Sequence, residues 1–174
     1  MNHLFEGVQA NDSKDLVNFI IMALHNELNK VNTNNKINLN INLVQRNKDL
    51  VFNHFMMDFM EINQSIISDL FYGVTYSITQ FQNCLRPSYN YQTFFFLLFS
   101  LEEVRKFKLQ YNPHNVNDLV NIYDCFLYNQ KVDYMMGENS MYCHYCKQTS
   151  CSNMTTFLSV TPNILILILI EERE

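Results

Sequence analysis

Near its end, past Pro162, the chain runs "NILILILI", Asn163 to Ile170, in which every residue from Ile164 onward is aliphatic. A strand that is apolar on both faces has to be covered on both faces, so the run predicts a central buried strand. It is too short for a membrane helix, which needs roughly 20 apolar residues. A second strand, "MTTFLSV" (Met154–Val160), precedes it. At 174 residues the chain is long enough to bury such a core as one domain. Only 3 Gly and 3 Pro leave few sites for tight turns, so regular elements should dominate.

The N-terminal half reads differently. In "NDSKDLVNFIIMALHNELNK" (Asn11–Lys30), Leu16, Ile20, Leu24 and Leu28 recur every four residues, with Val17 and Ile21 on the adjoining row. That spacing predicts a helix with a broad apolar stripe. Asp12 and Asp15 stand at its start in N-cap and N3 spacing, where carboxylates meet the unpaired amides and the positive end of the dipole. An Asn-rich loop follows. "DLVFNHFMMDFMEI" and "SIISDLFYG" then read as helices, the second capped by Ser65 and ended by Gly73. "VTYSITQF" alternates as a strand, and "TFFFLLFSL" is an aromatic strand candidate. "NVNDLVNIYDCFLYN" returns to helical spacing through Val116, Leu119, Val120, Tyr123 and Phe126 or Leu127. Helices precede strands without β–α alternation, which predicts an α+β fold.

The net charge of −5 argues against a nucleic-acid partner, which calls for a clustered basic face. Residues 1–15 lack the charged-then-apolar layout of a secretion signal, so an intracellular protein, cytoplasmic or nuclear, is expected. In that setting the five cysteines read as metal ligands or free thiols rather than disulfides. Cys143 and Cys146 stand in C-x-x-C spacing, half of a tetrahedral zinc site. Cys125 falls on the buried side of its helix and reads as an inert core thiol.

Three stretches taken together resemble the ubiquitin-specific protease family of cysteine deubiquitinases. "FEGVQANDSKDLVNFIIMALHNELN" is similar to the family's F-x-G-x-x-Q-Q-D-[AS]-x-E-F-L helix, with Phe5, Gly7, Asp12 and Ser13 matching and Asp15 in place of the usual Glu. The paired glutamines are replaced by Ala10 and Asn11. "SIISDLFYGVTYS" resembles the entry to the family's fingers subdomain. "YDCFLYNQKVDYMMGENSMYCHYCKQTSCSNMTTFLSVTPNILILIL" runs in order like its D-C-[LF], G-x-N-x-Y-x-C-x-x-C and P-x-x-L-I-[IL]-x-L segments.

The resemblance implies a papain-like ubiquitin-specific protease fold, with partial thumb, fingers and palm in a single domain over 1–174. Residues 1–72 would supply thumb-like helices, 73–160 fingers and palm elements, and 161–174 the buried palm strand. It implies that Asp12 and Asp15 face the arginines of the ubiquitin tail. It also implies a second C-x-x-C pair after the fingers entry, which here falls on Phe81 and Cys84. Cys84, Cys143 and Cys146 thus form a three-thiol set for zinc, with His144 or Cys151 as substitutes for a fourth ligand. The family's nucleophile box and its general-base box have no counterpart between Met1 and the terminal "IEERE". The expected activity of the parent is thiol-dependent cleavage after the ubiquitin C-terminus, with this chain inactive alone. The alternatives are a non-catalytic ubiquitin-binding pseudo-enzyme and a small zinc-stabilised interaction module.

Overall fold

The computed structural model describes residues 13–31, 47–111 and 119–171. Asp12, most of the Asn-rich stretch expected as a loop over 29–43, and Val116 lie outside the described residues. The described chain mixes five helices with eight strands, in keeping with the α+β class.

Helix α1 (Ser13–Leu28) is followed by α2 (Lys48–Ile62) and the short α3 (Ile66–Phe71). Asn47 caps α2 by accepting the amides of Asp49 and Leu50. Ser65 caps α3 as expected, accepting the Ser68 amide at 3.0 Å, while Ser68 Oγ accepts the Ser65 amide in return. The buried row of α1 is not the expected leucine stripe. Leu16, Ile20, Leu24 and Leu28 are exposed, and Ile21 and His25 are buried instead. The reason is a polar anchor: His25 Nδ1 lies 2.7 Å from Ser65 Oγ, and the His25 ring packs edge-on against Tyr72. Facing a satisfied partner, an imidazole can take a place that periodicity reserves for an aliphatic side chain.

Strands β1 (Gly73–Phe81), β2 (Pro87–Phe94), β4 (Val132–Met135) and β7 (Ser152–Val160) form an antiparallel sheet in the order β2-β1-β7-β4. The expected strands at 74–81 and 154–160 are therefore its two central members. An aromatic file crosses the sheet. Phe52 and Phe55 of α2 contact Tyr91, Tyr91 contacts its register partner Tyr76, and Tyr76 stacks on its register partner Phe157 at 5.2 Å. Cross-strand pairs of this kind fix register as well as burying area. Gly73 does not end α3, whose last residue is Phe71. It opens β1 where the chain passes close to its neighbours: a Cβ there would stand 2.8 Å from Pro162 Cδ and run into the Phe94 ring.

"TFFFLLFSL" is not one strand. β2 ends at Phe94, the chain bends, and β3 (Leu97–Ser100) runs into an unforeseen helix, α4 (Leu101–Tyr111). Helix α5 (Ile122–Asn129) starts later than its apolar pattern suggests, because Asn121 caps it by accepting the Asp124 amide. Between these elements lies a core of Leu97, Phe99, Val104 and Cys125.

The "NILILILI" run is the largest departure. Only Leu167–Ile170 forms a strand, β8, and it pairs in parallel with β3 in a two-stranded sheet. The Ile164 amide is drawn instead to the Leu70 carbonyl at 2.8 Å, and the Asn163 side chain donates to the Asp69 carbonyl at 2.9 Å, which ties the start of the run to the end of α3. Ile164, Leu165, Leu169 and Ile170 are exposed, so among the described residues this is not a central buried strand. No helix among the described residues is long and apolar enough to cross a membrane.

Candidate metal centre

The long β1–β7 pair ends in two abutting turns. Phe81 closes β1 opposite Ser152, and the Gln82 amide donates to the Cys151 carbonyl at 3.0 Å. From there the chain turns through Cys84 into β2. On the other side, β5 (Met141–Cys143) turns through Cys146 into β6 (Gln148–Ser150), which leads directly into β7.

The two turns share one construction. The Leu85 amide donates to the Phe81 carbonyl at 2.9 Å, and the Lys147 amide donates to the Cys143 carbonyl at 2.7 Å. Leu85 has φ 54° and Lys147 has φ 55°, the left-handed conformation that normally favours glycine. Phe81 therefore occupies the place that Cys143 takes in the second turn, and Cys84 the place of Cys146. A further link joins the turns, since the Arg86 guanidinium lies over the Tyr145 ring at 5.4 Å.

This geometry brings together the three cysteines expected to act as a set. The sulfurs of Cys84, Cys143 and Cys146 all lie within 4.8 Å of one another, with Cys84 and Cys143 3.8 Å apart. Sulfurs held about 2.3 Å from a common tetrahedral ion would stand about 3.8 Å apart, so the spacing fits a metal site. None of the three is in a disulfide. The trio can hold a metal ion.

Its electrostatics favour that use. Burial raises the Cys143 thiol, but the amides of Cys146 and Tyr145 and the neighbouring thiols outweigh it, and the net direction is down. The Cys146 amide itself stands 3.5 Å from Cys143 Sγ. Cys146 moves the other way, pushed up to about 11 by its hydrogen bond with Cys84, then by burial and by Cys143. Neighbouring thiols of the cluster thus share their protons unequally, as closely coupled sites do. A cation replaces those shared protons and removes the conflict.

The expected substitutes for a fourth ligand stand elsewhere. Cys151 Sγ lies 3.9 Å from Ser140 Oγ, and exposed His144 packs its ring edge-on against Tyr142. Neither belongs to the trio. Asp15 lies in the first turn of α1 and is exposed, while its expected companion Asp12 falls outside the described residues. Cys125 is buried in the core, where burial and then the Asp124 charge push its thiol up. No hydrogen bond joins a cysteine to a histidine among the described residues. The paired left-handed turns and the Arg86–Tyr145 contact escaped sequence reasoning, since neither turn carries the glycine that would have marked it.

No protein-family model matches the chain.

Proposed function

We propose that the chain forms the ubiquitin-cradling scaffold of a ubiquitin-specific cysteine protease, with a papain-like thumb, fingers and palm in part. One observation carries this reading. Two opposed turns at the tip of a long antiparallel pair carry cysteine at three of four equivalent places, as a worn fingers subdomain would. Under this reading β1, β2 and β7 are the fingers, and α1 presents Asp15 toward the basic ubiquitin tail. A carboxylate there can accept forked guanidinium bonds, which are about twice as strong as neutral ones. Zinc is the ion that the family resemblance implies for Cys84, Cys143 and Cys146. Hydrolysis needs a thiolate activated by an imidazole. Cys125 is too deeply buried for that, so the role proposed for the chain itself is binding. An intracellular, reducing compartment suits the free thiols.

Titration of fluorescently labelled ubiquitin onto the full chain tests the proposal. Saturable binding that weakens in Asp15→Lys supports it, and absence of binding at high ubiquitin concentration refutes it. The second reading is a small metal-stabilised interaction module with no ubiquitin role. It is favoured by the apolar row that α1 exposes, and it predicts a metal-dependent fold that is indifferent to ubiquitin.

A further inference from the structure

Zinc in closed structural sites almost always takes four protein ligands, and here the matched turns identify where the fourth would stand. That place is position 81, and it carries carbon. We infer that Cys84, Cys143 and Cys146 form a three-coordinate thiolate centre, suited to a soft ion of the copper(I) class rather than to four-coordinate zinc. The inference rests on the metal-site reading of the tip and specifies its occupant.

Four features of the tip support it. Phe81 repeats the backbone of Cys143, with the same amide-to-carbonyl closure and the same left-handed residue four places on. Phe81 is only 3% exposed, so its ring is a built part of the tip rather than a loose side chain that could yield to a ligand. The two nearest alternative donors in the sequence, His144 and Cys151, are engaged with Tyr142 and Ser140. What remains among the described residues is a purely sulfur donor set, within 4.8 Å throughout and without imidazole or carboxylate. Soft thiolates select soft ions, and a monovalent ion of that kind is satisfied by three of them. Three thiolates around a single positive charge leave an excess of negative charge. Arg86, two residues beyond Cys84, and Lys147, next to Cys146, are the nearest cations in the sequence.

The test uses the full chain, reduced and free of oxygen. Copper(I) is titrated against a chromophoric copper(I) chelator and zinc(II) against a chromophoric zinc chelator, and X-ray absorption counts the sulfurs around each bound ion. The inference predicts one copper(I) per chain with three sulfur neighbours. It also predicts that Phe81→Cys raises zinc affinity on the order of 100-fold and takes zinc to four sulfurs. Phe81→Leu keeps an apolar side chain there and should leave zinc affinity unchanged. Because Phe81 is buried, the sulfur count on the unmodified chain stands even if Phe81→Cys folds poorly. Zinc bound by four protein ligands in the unmodified chain overturns the inference while leaving the metal site intact. Copper(I) held by two sulfurs does the same. Binding of neither ion overturns both the inference and the metal-site reading.

Discussion

Leu85 and Lys147 adopt the same left-handed backbone, φ 54° and φ 55°, each one residue after a cysteine of the trio. An L-residue in this conformation costs about 1–2 kcal/mol, since its Cβ crowds the neighbouring carbonyl. The sulfur spacing depends on that conformation, because it lets each turn close its amide on the carbonyl four residues back. Glycine would relieve the strain but lose more entropy on folding, about 0.5–1 kcal/mol. Both side chains are exposed, so little packing is lost. Leu85→Gly and Lys147→Gly should each stabilise the chain by about 0.5–1 kcal/mol in urea denaturation. A loss of stability in either variant would contradict the account of the turns.

The buried bond between His25 and Ser65 makes a second prediction. Ser65 both caps α3 and satisfies the buried imidazole of α1. Ser65→Ala removes a cap and leaves a buried nitrogen without its partner, a cost of about 2–3 kcal/mol. His25→Leu removes only the second of these roles and should cost less. A double-mutant cycle between the two positions should give a coupling of about 1 kcal/mol or more. Additive effects would mean that the two helices are not joined there.

Acid should weaken the packing of α4 on α5. Asp124 Oδ2 accepts a bond from Lys108 Nζ at 2.9 Å, with both side chains mostly buried, and also accepts the Asn121 amide. Burial alone would raise the Asp124 carboxyl, but the Asn121 amide and the Lys108 ammonium outweigh it, so the net direction is down. A depressed carboxylate contributes stability that is fully present above its unfolded pKa, about 3.9. That stability fades as pH falls from there through the lower folded value. Asp124→Asn should therefore be less stable than the unmodified chain at pH 7, by about 2 kcal/mol, and the gap should close toward pH 2. A gap independent of pH would remove the ion pair from the explanation.

The exposed apolar row of α1 predicts self-association. Leu16, Ile20, Leu24 and Leu28 are 41–46% exposed, and Leu169 on β8 is open as well. Contiguous apolar patches and uncovered strand edges both promote aggregation. The chain should elute as oligomers in size-exclusion chromatography with light scattering, and Ile20→Glu with Leu24→Gln should increase the monomer fraction. A soluble monomer before any substitution would count against the exposed row.

Much of the local structure was legible in the sequence, and the failures have physical causes. Ser65 announced its helix because a hydroxyl before an apolar run has one good use. β1 announced itself by alternation, and "MTTFLSV" was legible as the strand that became β7. α1 was legible as a helix but not in its orientation, since its leucine row and its Ile21–His25 row are both plausible faces. The choice was made by Ser65, forty residues away. The stretch from Thr93 to Leu101 has no period, no glycine and no proline, so its bend and the start of α4 left no mark. "NILILILI" has the composition of a central strand, but bonds from Asn163 and Ile164 to the end of α3 hold its start away from β3. In the candidate site, C-x-x-C spacing led to Cys143 and Cys146, and only the family resemblance pointed to Cys84. The place of His144 depends on how the second turn is wound and that of Cys151 on the step from β6 into β7, which residue types alone do not specify.

The claim on which the rest depends is that Cys84, Cys143 and Cys146 act together as one metal site. Elemental analysis of the full chain, purified without chelators and compared with Cys84→Ser and Cys143→Ser, tests it most directly. The account predicts about one thiophilic ion, zinc or copper, per chain, lost in both variants and accompanied by a fall in melting temperature. A metal content near zero in the unmodified chain, or one that both variants retain, would contradict it.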